Sequence, residues 1–104
     1  MVQELSNNKY KELLNSDKIV VIDFYAEWCV PCKTLSPTLD TISEENDKVE
    51  IVKYNTENDE LDLTNKYGIR NIPTLVFLKG GEPVDRLTGV RNKDSIISKI
   101  DSLI

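Results

Sequence analysis

Trp28-Cys29-Val30-Pro31-Cys32-Lys33 holds the only two cysteines of this chain, three residues apart. That spacing lets the two sulfurs meet across one turn of helix. One can attack a disulfide as a thiolate, and the other can then close an intramolecular disulfide and release the product. The pair closely follows the largely apolar run Ile19-Val20-Val21-Ile22-Asp23-Phe24-Tyr25 and directly precedes Leu35, Leu39 and Ile42 at helical spacing. Cys29 therefore stands where a helix should begin. Free backbone N–H groups and the positive end of the helix dipole favour a thiolate there. Cys29 is the candidate nucleophile, and Cys32, one turn deeper, the candidate resolving thiol. Buried cysteines that merely fill space are the alternative, but the spacing, the helix start and the adjacent tryptophan weigh against it. Pro31 brings no N–H into the first turn and presets φ, which stiffens the loop between the thiols.

Asp23 interrupts the apolar run shortly before Trp28. A carboxylate in such a strand is costly unless paired or neutral, so its pKa should be raised. That suits a proton acceptor and donor for Cys32, whereas an aspartate facing the surface or ending the strand would have no such role. Lys53, on the neighbouring strand, is its candidate partner, although most lysines are simply solvated. Pro73, in Asn71-Ile72-Pro73-Thr74, opens another strand, where base rates favour a trans bond.

The elements that must position these groups follow from patterning. Ser6 or Asn7 can cap a helix over Lys9 to Asn15, with Tyr10, Leu13 and Leu14 inward. Lys18 to Tyr25 reads as a strand buried on both faces, because its apolar residues run without alternation. A long helix from about Cys29 to Asn46 should kink at Pro37. Val49 to Asn55 is a second strand, with Val49, Ile51 and Lys53 on one face. Asn58 or Asp59 caps a helix that runs to Tyr67 and stops at Gly68. Thr74 to Lys79 is an apolar strand, Gly80-Gly81 a hairpin turn, and Pro83 to Thr88 a return strand at a sheet edge. A final amphipathic helix turns Ile96, Ile97, Ile100, Leu103 and Ile104 inward. A short strand near Val2 to Glu4 completes the order. The fold class is α/β: a central mixed sheet of four to five strands, with a right-handed crossover, flanked by about four helices.

With 104 residues, one domain over 1–104 is expected, with a core that needs no disulfide staples. The balance of 39% hydrophobic and 30% charged residues is that of a soluble globular protein. A net charge of −5 without a Lys/Arg cluster argues against nucleic acid. The N-terminus has no secretory signal and no window is long enough to span a bilayer, so a cytoplasmic location with no membrane contact is the default. In that compartment a lone cysteine pair is more often catalytic or metal-binding than structural. The absence of histidine excludes cysteine–histidine and serine–histidine–aspartate catalysis and any two-histidine metal site. Zinc on two cysteines and two carboxylates, or a cluster shared across a dimer, remains conceivable but is disfavoured, so no metal and no bound cofactor are expected.

The chain resembles the thioredoxin family from about Lys9 to Leu103. The resemblance is carried by Val21 through Lys33 with its Trp-Cys-Val-Pro-Cys core, by Pro37 and Lys53, by Tyr67-Gly68-Ile69-Arg70-Asn71-Ile72-Pro73-Thr74, and by Gly80 and Gly89. It implies a thioredoxin fold, with Cys29 as exposed nucleophile, Cys32 as buried resolving cysteine, and Asp23 as the buried acid near Lys53. It also implies a cis Pro73 packed against the dithiol. Trp28, Ile72, Pro73, Gly89 and Val90 would form an apolar groove, and the backbone before Pro73 would pair with an incoming chain. Val30 and Pro31, between the cysteines, would touch the substrate too. Val30 stands where most of the family has glycine, and its bulk would tune partners and potential.

The activity implied is monomeric protein-disulfide reduction, with the Cys29–Cys32 disulfide as the redox group and recycling by an NADPH-dependent flavoprotein thioredoxin reductase. An oxidant or isomerase is disfavoured because no histidine lies between the cysteines, and glutathione use because proline is second there. A binding subunit valued for its shape would tolerate loss of either cysteine, yet both are present.

Overall fold

The computed structural model describes residues 1–104. Five strands form one sheet in the order β1-β3-β2-β4-β5: β1 (Gln3–Glu4), β2 (Ile19–Tyr25), β3 (Val49–Asn55), β4 (Thr74–Lys79) and β5 (Glu82–Thr88). β1, β3 and β2 run parallel, while β4 is antiparallel to β2 and β5 to β4. The helices are α1 (Asn7–Leu14), α2 (Val30–Glu45), α3 (Leu63–Lys66) and α4 (Lys93–Leu103). The mixed sheet and four helices match the expected class.

Successive side chains of a strand point to opposite faces, and both faces of β2 are covered. Ile19 and Val21 join Leu35, Leu39 and Ile42 of α2 and Ile96 and Ile100 of α4 in one core. Val20, Ile22 and Phe24 join Tyr10 and Leu13 of α1 and Leu63 of α3 in the other. This explains why β2 is apolar on both sides apart from Asp23: helices cover both of its faces and leave neither to solvent.

Local chemistry fixes the ends of these elements. The Ser6 hydroxyl accepts from the Lys9 N–H at 3.1 Å and starts α1, and Asn92 accepts from the Ser95 N–H at 2.8 Å and starts α4. α2 continues through Pro37, which has no N–H to give the Lys33 carbonyl. Gly80 and Gly81 both have positive φ, 59° and 81°, as a tight two-residue hairpin requires. A Cβ on Gly81 would lie 2.7 Å from the Leu14 carbonyl oxygen, so the hairpin also depends on the close approach of α1. A bulge opposite Phe77 and Leu78 accommodates Pro83 on the edge strand.

Two expectations are corrected. The helix expected from Asn58 or Asp59 to Tyr67 is only Leu63–Lys66. Asp59 lies outside the helix but reaches its first turn: its Oδ1 accepts from the Thr64 N–H at 3.2 Å and from the Tyr54 hydroxyl at 2.6 Å. The chain between them turns through Asp62 at φ 56°, outside the helical region. Ile104 does not face inward but is 58% exposed, since α4 ends at Leu103 and its apolar stripe ends there too.

Candidate active site

β2 runs into a turn at Ala26-Glu27-Trp28, and α2 begins directly after Cys29. Cys29 is the helix N-cap, with extended φ and ψ of −85° and 105°. Its N–H donates to the Ala26 carbonyl at 3.1 Å, and its own carbonyl accepts from the Lys33 N–H at 3.2 Å. The Cys29 Sγ accepts from the Cys32 N–H at 3.2 Å, which is the helix-start donor that a thiolate needs. Pro31 occupies the first turn, where a missing N–H costs nothing.

Cys29 and Cys32 form a disulfide, with Cα atoms 5.3 Å apart. Both are 3% exposed and cluster with Ala26, and Tyr25 and Ile72 pack against them. An exposed Cys29 above a buried Cys32 is therefore not seen in this oxidised state, where both cysteines are buried in one cluster with Ala26 and Ile72 packs against it. The apolar surface around the disulfide is supplied instead by Trp28 and Val30, 65% and 69% exposed.

The Ile72–Pro73 peptide bond is cis, against the base-rate default. Pro73 is buried and Ile72 partly buried. The Pro73 carbonyl accepts from the Gly89 N–H at 2.8 Å, which draws the Gly89–Val90 turn against this loop. Gly89 has φ 87°, and Val90 beside it is exposed. Thr74 Oγ1 donates to the Asn71 carbonyl at 2.6 Å and braces the loop from behind. The structure thus brings Ile72 to the cysteines and Gly89 to Pro73, with Trp28, Val30 and Val90 offering apolar surface and Pro31 exposed beside them.

Asp23 lies near the middle of the sheet, 4% exposed. Its Oδ1 has no hydrogen-bond partner. Burial pushes its carboxyl up to about 7, offset in part by the positive charge of Lys53 and reinforced by the negative charge of Glu4. Lys53 is its direct register partner on β3. No ion pair within 4 Å joins the two. The Lys53 ammonium instead lies 5.5 Å from the centre of the Tyr25 ring. A cavity of about 130 Å³ is lined by Asp23, Cys32, Lys53, Lys33, Ser36 and Tyr25, among others, so the acid, the ammonium and the second cysteine share one space.

Two residues at the site drew no role from sequence reasoning. Tyr25 packs on the cysteine cluster and donates its hydroxyl to Glu4 Oε1 at 2.5 Å. Glu4 Oε2 accepts from the Asn55 N–H at 3.2 Å. The acidic residue on a short edge strand was visible in the sequence, but its neighbours depend on the strand order. No group of three or more His, Cys, Asp or Glu side chains is placed to hold a metal, and no helix is long and apolar enough to cross a membrane.

The family profile described as Thioredoxin matches residues 1–102. The chain is 42% identical to a thioredoxin of Rickettsia prowazekii (strain Madrid E) over 106 aligned positions, covering all of both chains. It is 39% identical to a thioredoxin of Porphyra purpurea, covering 99% of this chain and 97% of that one. Among solved structures, it is similar to a mutant thioredoxin from Halobacterium salinarum NRC-1, with a TM-score of 0.86 at 29% identity over 97% of this chain and 88% of the other. It is also similar to a Malassezia sympodialis thioredoxin, with a TM-score of 0.85 at 34% identity over 98% of this chain and 90% of the other.

Proposed function

Because the chain belongs to the thioredoxin family and is a thiol–disulfide oxidoreductase of the Cys29–Cys32 pair, we propose the following division of labour for its reduction of protein disulfides. Cys29, as thiolate, attacks one sulfur of the substrate disulfide, forms a mixed disulfide and expels the other sulfur as a thiolate. Asp23, as carboxylate, takes the proton of the Cys32 thiol. The Cys32 thiolate attacks the Cys29 sulfur, the mixed disulfide breaks, and the second substrate thiolate leaves. Two electrons pass from the dithiol to the substrate, and the Cys29–Cys32 disulfide is the product left on the protein. Lys53 holds the ionised Asp23 by its charge across the shared cavity.

The observation that carries this reading is the shared cavity itself: an unpartnered buried carboxyl, a lysine and the resolving cysteine line one space. A carboxyl with its pKa near 7 can both accept and return a proton at neutral pH. Trp28, Val30, Pro31, Ile72, Pro73, Gly89 and Val90 receive the substrate, and the backbone before Pro73 pairs with it in strand fashion. Val30 adds bulk beside the attacking sulfur and selects among partners. An oxidant, an isomerase and a shape-only binding subunit are not favoured.

The wider setting is proposed on the same footing. The protein works as a monomer of one domain over 1–104, in the cytoplasm, with no bound cofactor beyond its own disulfide. An NADPH-dependent flavoprotein thioredoxin reductase returns the two electrons. The test is NADPH consumption at 340 nm with purified thioredoxin reductase and insulin as the terminal disulfide. Steady consumption that needs this protein and stops in the Cys29→Ser, Cys32→Ser double variant is expected. Consumption equal to that of reductase alone would contradict the recycling route.

A further inference from the structure

Lys53 stands between two carboxylates. In the parallel register, Glu4 of β1 is opposite Lys53 of β3, and Lys53 is opposite Asp23 of β2. Register partners in adjacent strands point to the same face, so the three side chains form one row across the sheet. Two strand spacings, about 10 Å, separate the Glu4 and Asp23 backbones. The end of the row is pinned: Glu4 Oε1 accepts from the Tyr25 hydroxyl and Oε2 from the Asn55 N–H. The Tyr25 ring lies against the cysteine cluster on one side and under the Lys53 ammonium on another. Burial and the bond to Glu4 push the Tyr25 hydroxyl well above its ordinary range, so it stays protonated and keeps donating.

We propose that Glu4 is a positioning residue that competes with Asp23 for the charge of Lys53 and thereby tunes the proton step at Cys32. Two effects of its carboxylate act in the same direction. Its charge opposes ionisation of Asp23 directly, and it draws the Lys53 charge toward the sheet edge. The Tyr25 and Asn55 donors keep the carboxylate in place. The other charged or titratable groups lining the Asp23 cavity are Tyr25 at the end of β2, Glu27 in the turn after it, and Cys32 and Lys33 of α2. On the remaining neighbour, β4, the register partner of Asp23 is the apolar Leu75. Among the neighbouring charges, Lys53 favours and Glu4 opposes ionisation of the Asp23 carboxyl. Glu4 thus marks a route by which an exposed edge residue reaches the buried acid without touching the cysteines.

This inference rests on the reading of Asp23 as the proton partner of Cys32, and its test separates the two. The Asp23 carboxyl is titrated by ¹³C NMR in the oxidised wild type and in Glu4→Gln, Glu4→Asp and Tyr25→Phe, and the pH profile of insulin reduction is recorded for each. Glu4→Gln should move the Asp23 midpoint down by about half a pH unit, the size of a partly screened charge at this separation. Tyr25→Phe, which keeps the ring packing and frees the Glu4 carboxylate, should move it down by less. Glu4→Asp, which keeps the charge, should hold it close to wild type. A merely structural Glu4 would change stability and leave the midpoint in place. An unmoved or raised midpoint in Glu4→Gln overturns the proposal. A lowered midpoint with an unmoved rate profile upholds the coupling along the row and overturns the role of Asp23 in the reaction.

Discussion

Cys32→Ser should convert the protein from a catalyst into a trap. After Cys29 attacks a substrate disulfide, only the Cys32 sulfur is placed to attack the Cys29 sulfur, being joined to it in the oxidised state with Cα atoms 5.3 Å apart. A serine hydroxyl there remains protonated at neutral pH and does not displace a thiolate. The mixed disulfide then persists until an external thiol resolves it. Turnover should fall on the order of a thousandfold or more, because a first-order step in a preset geometry is replaced by a bimolecular one. Non-reducing gels and intact mass spectrometry should show one covalent adduct per chain after incubation with a model disulfide protein, reversed by dithiothreitol. The fold should survive, since serine is close in size to cysteine and α2 keeps its Leu35, Leu39 and Ile42 packing. An adduct at Cys32 in the Cys29→Ser variant, forming as fast, would reverse the assignment of the two thiols.

Asp23→Asn should stabilise the protein at alkaline pH and slow it at neutral pH. The carboxyl is buried, and burial raises its pKa from 3.8 to about 7. A group whose folded pKa lies above its unfolded value adds stability that is fully present below the unfolded pKa and is lost as pH rises through the folded one. Above about pH 7, ionised Asp23 therefore weighs against the fold. At about 1.4 kcal/mol per pH unit the cost approaches roughly 4 kcal/mol. Part of the cost will be relieved by local relaxation, so a gain of about 2–4 kcal/mol for Asp23→Asn at pH 9 is expected. Near pH 3 the same variant should gain little, because Asp23 is then protonated in both folded and unfolded chains. Urea unfolding at the two pH values measures the difference. The same variant loses the acceptor for the Cys32 proton, so insulin reduction at pH 7 should slow by about 10- to 100-fold, at or below the lower end of general acid–base contributions. Equal stability gains at both pH values would show that the effect is packing and not ionisation.

The site was legible in the sequence where its parts are neighbours along the chain. Cys29, Pro31 and Cys32 belong to one helix start, and the helix start follows from the apolar spacing of Leu35, Leu39 and Ile42. Asp23 stood out as one charge in the apolar run of β2. The position of Pro73 could be read, but its cis isomer could be expected only from the resemblance, because base rates favour trans. The burial of β2 on both faces followed from its lack of alternation, and the edge position of β5 from Pro83.

What the sequence hid was set by contacts between distant segments. Asp59 bonds Tyr54 and caps Thr64 across the turn, so the helix begins later than its composition suggests. Lys53 was expected on the strand beside Asp23, but Glu4 joins them only because β1 pairs with β3, which no local pattern encodes. The equal burial of the two cysteines comes from the disulfide and from Ile72, which packs against them although it lies forty residues on in the chain.

Insulin disulfide reduction with dithiothreitol as electron donor, followed by turbidity and run beside Cys29→Ser, tests most directly that this chain exchanges disulfides through Cys29. Rapid precipitation of the insulin B chain with the wild type, and a rate equal to dithiothreitol alone with Cys29→Ser, is the predicted result. Wild-type and variant rates that both match dithiothreitol alone would contradict it.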